Sequence, residues 1–293
     1  VDTIVNTART GQVGDGKTFV IERLRKTLVS SHDAVVITDA NACSDAEILS
    51  AWRSCDTDNR AFILAINEWP LFELRRRAQD EGFEPVLEAV RQVRSAVYFG
   101  TAPTPAQGRV AVIDLNLRNV LAERVVIAAL DRLTDDRFVS DLADADPAAA
   151  NVARLRSDRV KARLAALLEE ASRRGEHTTM RPLMGFLAYI MTGGKDSTGR
   201  IMSQGDGRFL YANLVFEGGI GPLFDLVSRS LDPAKLTHPD IDEDLWRGTT
   251  DPNDWLDPSD VPLAPASCAE EERERCFRIA KRRFYFEHAR GDD

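Results

Sequence analysis

At 293 residues, 43% hydrophobic and 29% charged, the chain has the composition of one large or two ordinary water-soluble domains, which excludes disordered, collagenous and membrane-embedded classes. A net charge of −9 argues against coating DNA or anionic lipid by bulk electrostatics, because phosphate binding needs locally dense Lys and Arg. The four cysteines lack CxxC spacing, so neither a zinc site nor a disulfide framework is indicated, and without an apolar run of ~18 residues or a charged-then-apolar leader the expected compartment is the cytoplasm, with no membrane contact. Val1 in place of Met, with a glycine-rich loop within a dozen residues, reads as N-terminal sequence missing ahead of it.

Along the first half, short β-branched runs alternate with amphipathic stretches, the pattern of βα units feeding a mostly parallel sheet. The strand candidates are Ile4-Val5 within Thr3 to Thr7, Ala34 to Thr38, Ala61 to Ile66, and Val110 to Ile113. Val20, Ile21, Leu24 and Leu28 recur at helical spacing. Ser44 with Glu47 three residues on has the form of a capping box, and further helices are expected from Leu71 to Gln79 and from Glu84 to Val97. Gly100 to Gly108 reads as a loop, as does the Gly- and Ser-rich Gly193 to Gly207.

The acidic, alanine-rich stretch Leu130 to Ala150, with Pro147 inside it, suggests a domain boundary near residue 148. That gives a nucleotide-binding domain over 1–148 and a mainly helical lid or docking domain over 149–293. In the second part Val160, Leu164, Leu167, Leu168 and Ala171 form an apolar helical stripe closed by Gly175, and Leu183 to Met191 form a second helix. Pro233 to Pro265 is dense in Pro and Asp, with Trp246 and Trp255 as expected anchors, and Glu270 to His288 returns to a charged helical pattern.

The segment Gly11-Gln12-Val13-Gly14-Asp15-Gly16-Lys17-Thr18 matches GxxxxGK[ST] at every fixed position. Glycines at Gly11, Gly14 and Gly16, with Asp15 between, let backbone N–H groups close around phosphate oxygens. Lys17 reaches the β/γ-phosphates, and Thr18 ligates Mg²⁺. The expected fold is therefore an α/β P-loop NTPase with a mostly parallel sheet and a helical C-terminal domain, and the expected cofactors are ATP and Mg²⁺. The strand Phe62 to Ile66 runs into Asn67-Glu68, which puts Glu68 where the catalytic base belongs and Asn67 where an Asp usually holds the metal shell. Asp39, ending the second strand, is the carboxylate that would complete the metal set of Thr18, Asn67 and Asp39; Asp39 and Glu68 are alternatively a loop cap and a turn residue. Asn116, or Asn119, at the tip of the next strand fits a γ-phosphate contact, whereas Asp114 reads as an N-cap.

Two basic clusters stand out, Arg154, Arg156, Arg159, Lys161 and Arg163, then Lys281, Arg282 and Arg283 beside Phe284, Tyr285 and Phe286. They fit an arginine offered to the nucleotide within the chain or across an oligomer interface, or local contact with DNA phosphates and bases, or else a solvated basic face with core aromatics. His177, His238 and His288 are isolated and read as structural.

Gly14-Asp15-Gly16-Lys17, Thr38-Asp39-Ala40, Ala65-Ile66-Asn67-Glu68 and Ile113-Asp114-Leu115-Asn116 resemble the P-loop ATPase of bacterial DNA-phosphorothioation defence systems, the DptF-type restriction component. Arg174-Gly175-Glu176-His177-Thr178, Thr192-Gly193-Gly194, Phe216-Glu217-Gly218 and Arg282-Arg283-Phe284-Tyr285-Phe286 extend the similarity into the second half. The resemblance implies an ATPase that works with the other proteins of a DNA modification or restriction complex. The DNA chemistry itself would belong to those partners. A nucleotide-gated scaffold with little hydrolysis is the competing reading, and a small-molecule kinase, for which no acceptor motif is seen, is a third.

Overall fold

The computed structural model describes residues 6–10, 17–99, 110–115, 118–142, 146–193, 209–247 and 269–288. The chain forms two compact units, Val1–Arg118 with Thr179–Arg181, and Asn119–Thr178 with Pro182–Asp293. The first contains β1 (Asn6–Thr10), α1 (Lys17–His32), β2 (Val35–Ile37), α2 (Asp45–Thr57), β3 (Phe62–Ala65), α3 (Glu68–Asp80), α4 (Glu84–Phe99) and β4 (Val110–Asp114).

All the described strand pairs are parallel, in the order β2-β3-β1-β4. The connection from β1 to β2 therefore runs one way across the sheet, and those from β2 to β3 and from β3 to β4 run the other way. Right-handed crossovers then require helices on opposite faces, and the packing agrees. Ile21 of α1 lies against Ile63 and Ala65 with Val36. On the other face Trp52 of α2, Leu71 and Leu74 of α3 and Val86 and Val90 of α4 cover Phe62, Leu64, Val110 and Val112. Alternate residues of β3 thus serve opposite faces, as a period of two demands, and the strand is buried throughout. The outer edge of β4 is closed by Gln92, whose Nε2 donates to the Val110 carbonyl at 2.9 Å and whose Oε1 accepts from the Val112 amide at 3.2 Å.

The described β1 is formed by Asn6–Thr10, and the apolar Ile4-Val5 pair expected in it lies outside the described residues. Pairing with β3 on one side and β4 on the other supplies hydrogen bonds to both edges of its backbone, so a polar sequence is held as a strand. The Ser44–Glu47 capping box forms in both directions. Its bonds to Ser44 hold the Glu47 carboxyl below its ordinary range.

The second unit is helical among its described residues: α5 (Glu123–Leu133), α6 (Asp136–Val139), α7 (Pro147–Leu155), α8 (Asp158–Arg173), α9 (Met180–Thr192), α10 (Tyr211–Leu214), α11 (Pro222–Ser230), α12 (Pro239–Arg247) and α13 (Glu270–Glu287). The units divide at Arg118 and Asn119, not near 148. The acidic, Pro-containing stretch read as a boundary is cap chemistry: Asp135 accepts from the Arg137 amide to start α6, and Asp146 accepts from the Ala148 amide with Pro147 in the first turn of α7. α8 buries the predicted stripe and ends at Gly175, φ +93°, with the Gly175 amide bonded to the Ser172 carbonyl and the Glu176 amide to that of Ala171, a Schellman arrangement. Part of the Pro- and Asp-rich stretch is ordered as a 3₁₀ turn (Pro233–Lys235) and α12. Trp255, Gly100 to Gly108 and most of Gly193 to Gly207 lie outside the described residues.

α13 organises this unit. Phe286 is fully buried against Tyr211 and Phe216, and Phe284 stacks on His288. Glu287 accepts from Arg154, from Arg283 at 2.8 Å and from the Tyr211 hydroxyl at 2.9 Å. Burial and the adjacent Glu287 carboxylate raise the Tyr211 phenol well above its ordinary range. A folded-state pKa above the unfolded value of about 10 contributes stability that is complete below about pH 10 and lost as the pH rises further. Urea midpoints are therefore expected to fall above about pH 10, and Tyr211→Phe is expected to flatten that fall. An alkaline limb identical in wild type and Tyr211→Phe would contradict this.

Candidate functional site

Ligands in open α/β sheets bind outside the carboxyl ends of the strands, where neighbouring strands send their connections to opposite faces. That condition is met between β1 and β3, which are adjacent: β1 leads into α1 on one face, and β3 leads into α3 on the other. α1 begins at Lys17 and α3 at Glu68, so the sequence-predicted Lys17, Thr18, Asn67 and Glu68 all fall at the starts of the two helices leaving this point. Gly11, Gly14, Asp15, Gly16 and Asn116 lie outside the described residues.

Thr18 is exposed, and its hydroxyl donates to the Thr38 carbonyl at 3.2 Å, tying the first turn of α1 to the carboxyl end of β2. Thr38 directly precedes Asp39, so the predicted metal-site hydroxyl is bonded to the residue next to the predicted carboxylate. Asp39 also caps a 3₁₀ turn (Ala40–Ala42), its Oδ1 accepting from the Asn41 amide at 3.0 Å and from the Asn41 side chain at 3.1 Å. The capping alternative is thus what its hydrogen bonds display. Asn67 is the residue before α3; its carbonyl accepts from the Leu71 amide at 3.1 Å, while its half-buried side chain makes no capping bond. Glu68 is exposed in the first turn, where a carboxylate is favoured by the helix dipole.

A hydroxyl, a carboxylate and an amide oxygen are hard donors that suit Mg²⁺, which keeps several waters and takes the rest of its shell from substrate phosphates. Thr18, Asp39 and Asn67 would hold it, and bound there it would neutralise phosphate charge. Among the described residues no three His, Cys, Asp or Glu side chains form a metal cluster.

Asp114 ends β4 and Leu115 begins a 3₁₀ turn directly after it; residues 116–117, on which its N-cap reading depends, lie outside the described residues. Asn119 accepts the Leu121 amide at 3.0 Å and serves as a turn cap. Of the alternatives for the basic clusters, core aromatics is the one the packing displays. Arg154 pairs with Glu287, Arg156 with Asp136 and the Thr134 carbonyl, Lys161 with Asp131, and Arg159 and Arg163 donate to carbonyls at the end of α13. Lys281, Arg282 and Arg283 are buried and ion-paired with Asp242, Asp232 and Glu287. These clusters hold the helical unit together, and buried Phe284 and Phe286 present no stacking surface for a base.

Two side chains escaped the sequence reading. Phe19 is 69% exposed and Trp69 is 70% exposed, each one residue beyond a motif position, Thr18 and Glu68. The signal was present in the helical phase. Ile21 of α1 and Leu71, Leu74 and Ala78 of α3 mark the buried stripes, and an offset of two positions, about 200°, turns Phe19 and Trp69 away from them.

No family model, curated protein or solved structure matches this chain. No helix among the described residues is long and apolar enough to cross a membrane.

Proposed function

We propose that the chain binds Mg-ATP at the crevice between the carboxyl ends of β1 and β3 and hydrolyses it, as the nucleotide-using member of a protein complex acting in DNA-phosphorothioation-linked defence. The observation that carries the nucleotide reading is a coincidence of motif and topology. The GxxxxGKT segment joins the central strand of a parallel sheet to a helix that starts at its Lys, beside the switch between β1 and β3. The defence setting rests on the sequence resemblance.

In this reading the Lys17 ammonium donates to the β- and γ-phosphate oxygens, and the first amides of α1 add positive partial charge. Glu68 accepts a proton from, or orients, the attacking water. Asn67 favours a second reading, a nucleotide-gated scaffold, because an amide in place of a carboxylate brings no charge to the metal shell.

Steady-state hydrolysis of ATP with Mg²⁺ separates the two. Loss of a general base is expected to lower turnover in Glu68→Gln by about 10²–10⁴-fold while ATP still binds. Tight binding with no turnover in the wild-type chain, alone or with duplex DNA, would replace the ATPase with the scaffold.

A further inference from the structure

Among the described residues of the first unit, the exposed large hydrophobic side chains are Phe19, Trp69 and Ile113. All belong to the carboxyl end of the sheet: Phe19 in the first turn after β1, Trp69 in the first turn after β3, and Ile113 next to last in β4, in register with Arg9. Apolar exposure at the end of the sheet where ligands bind marks a surface that a ligand covers.

Phe19 is the informative member. It immediately follows Lys17-Thr18, so it lies one residue beyond the predicted phosphate contacts, and it faces away from Ile21 and the sheet. In the second unit the exposed Phe138 carries the Arg132 guanidinium 4.7 Å from its ring centre, whereas no described ring or cation covers Phe19. A nucleotide whose phosphates meet Lys17 has a flat aromatic end that needs such a face.

We infer that Phe19 is the platform on which the nucleobase stacks, and that the site does not distinguish adenine from guanine nucleotides. Stacking reads the π-face every base possesses, not the hydrogen-bonding edge by which bases differ. The inference rests on the nucleotide-binding reading above and names the base subsite of that same crevice.

Calorimetric titration of the full chain with ATP, GTP and inorganic tripolyphosphate, each with Mg²⁺, tests it. ATP and GTP are expected to bind within about threefold of each other, and tripolyphosphate about tenfold more weakly. Phe19→Ala is expected to weaken ATP about tenfold, leave tripolyphosphate unchanged, and be rescued by Phe19→Trp. An unchanged ATP affinity in Phe19→Ala, or GTP weaker than ATP by more than about thirtyfold, would overturn the stacking platform while the phosphate site stood. Binding of ATP and tripolyphosphate that is indifferent to Lys17→Ala would instead remove the phosphate site, and the platform with it.

Discussion

Replacing Arg282 with Ala is expected to destabilise the helical unit by about 3–5 kcal/mol, because it leaves a buried carboxylate without its counter-charge. Arg282 is 4% exposed at its side chain and Asp232 1%. The guanidinium meets Asp232 as a fork, Nε to Oδ1 at 3.0 Å and Nη2 to Oδ2 at 2.6 Å, while Nη1 reaches Glu217 at 2.5 Å and the Asn213 side chain. Phe216 lies beneath it, 5.4 Å from the guanidinium carbon to the ring centre. Lys in its place keeps the charge but not the fork, so Arg282→Lys should recover only part of the loss. Arg282→Met combined with Asp232→Leu should recover more than Arg282→Ala alone, since it removes both charges. Some loss will remain because Asp232 also accepts the Ala234 amide. Urea unfolding of the four proteins measures this, and a loss below about 1 kcal/mol in Arg282→Ala would mean the pair contributes no more than a surface bridge.

Lys17→Ala should weaken ATP binding by roughly 100-fold or more, as charge-assisted hydrogen bonds to phosphate contribute about 1.5–3 kcal/mol each. Lys17 opens α1 at the switch between β1 and β3, so its loss removes a full charge where the helix end offers only partial ones. The fold should be indifferent, because the first unit is held by the apolar clusters on the two sheet faces. Equilibrium binding together with a thermal melt checks both statements. Unchanged affinity in a folded Lys17→Ala protein would sink the phosphate-loop assignment.

Much of this was legible in the residues. The strands at Val35, Phe62 and Val110 announced themselves because a parallel sheet covered on both faces needs continuous apolar runs. The capping box at Ser44 and the helix stop at Gly175 were readable because each is local chemistry. The polar part of β1, Asn6–Thr10, was less so, since its hydrogen bonds come from β3 and β4, far along the chain. The unit boundary was misread because Asp135, Asp146 and Pro147 look the same in a linker as at the start of a helix. Charge was the least legible. Arg154, Arg163 and Arg282 fitted a phosphate-contacting surface or a solvated face beside core aromatics; the aromatics are core, but the acceptors, Glu287, the carbonyls ending α13, and Asp232, are visible only once distant segments pack together.

The central place of β1 bears on how the protein is made. Asn6 aligns with Val110, so the strand leaves the ribosome about a hundred residues before its partner in β4. At about 5–20 residues per second the interval is roughly 5–20 s. During that time β2, β3 and α2 to α4 can assemble most of the larger apolar cluster, which Val110 and Val112 of β4 then complete, leaving the polar segment Asn6–Thr10 to dock between β3 and β4 at the end. The segment leading into the GxxxxGKT sequence is therefore expected to be the last part of its unit to become protected from a protease on nascent chains.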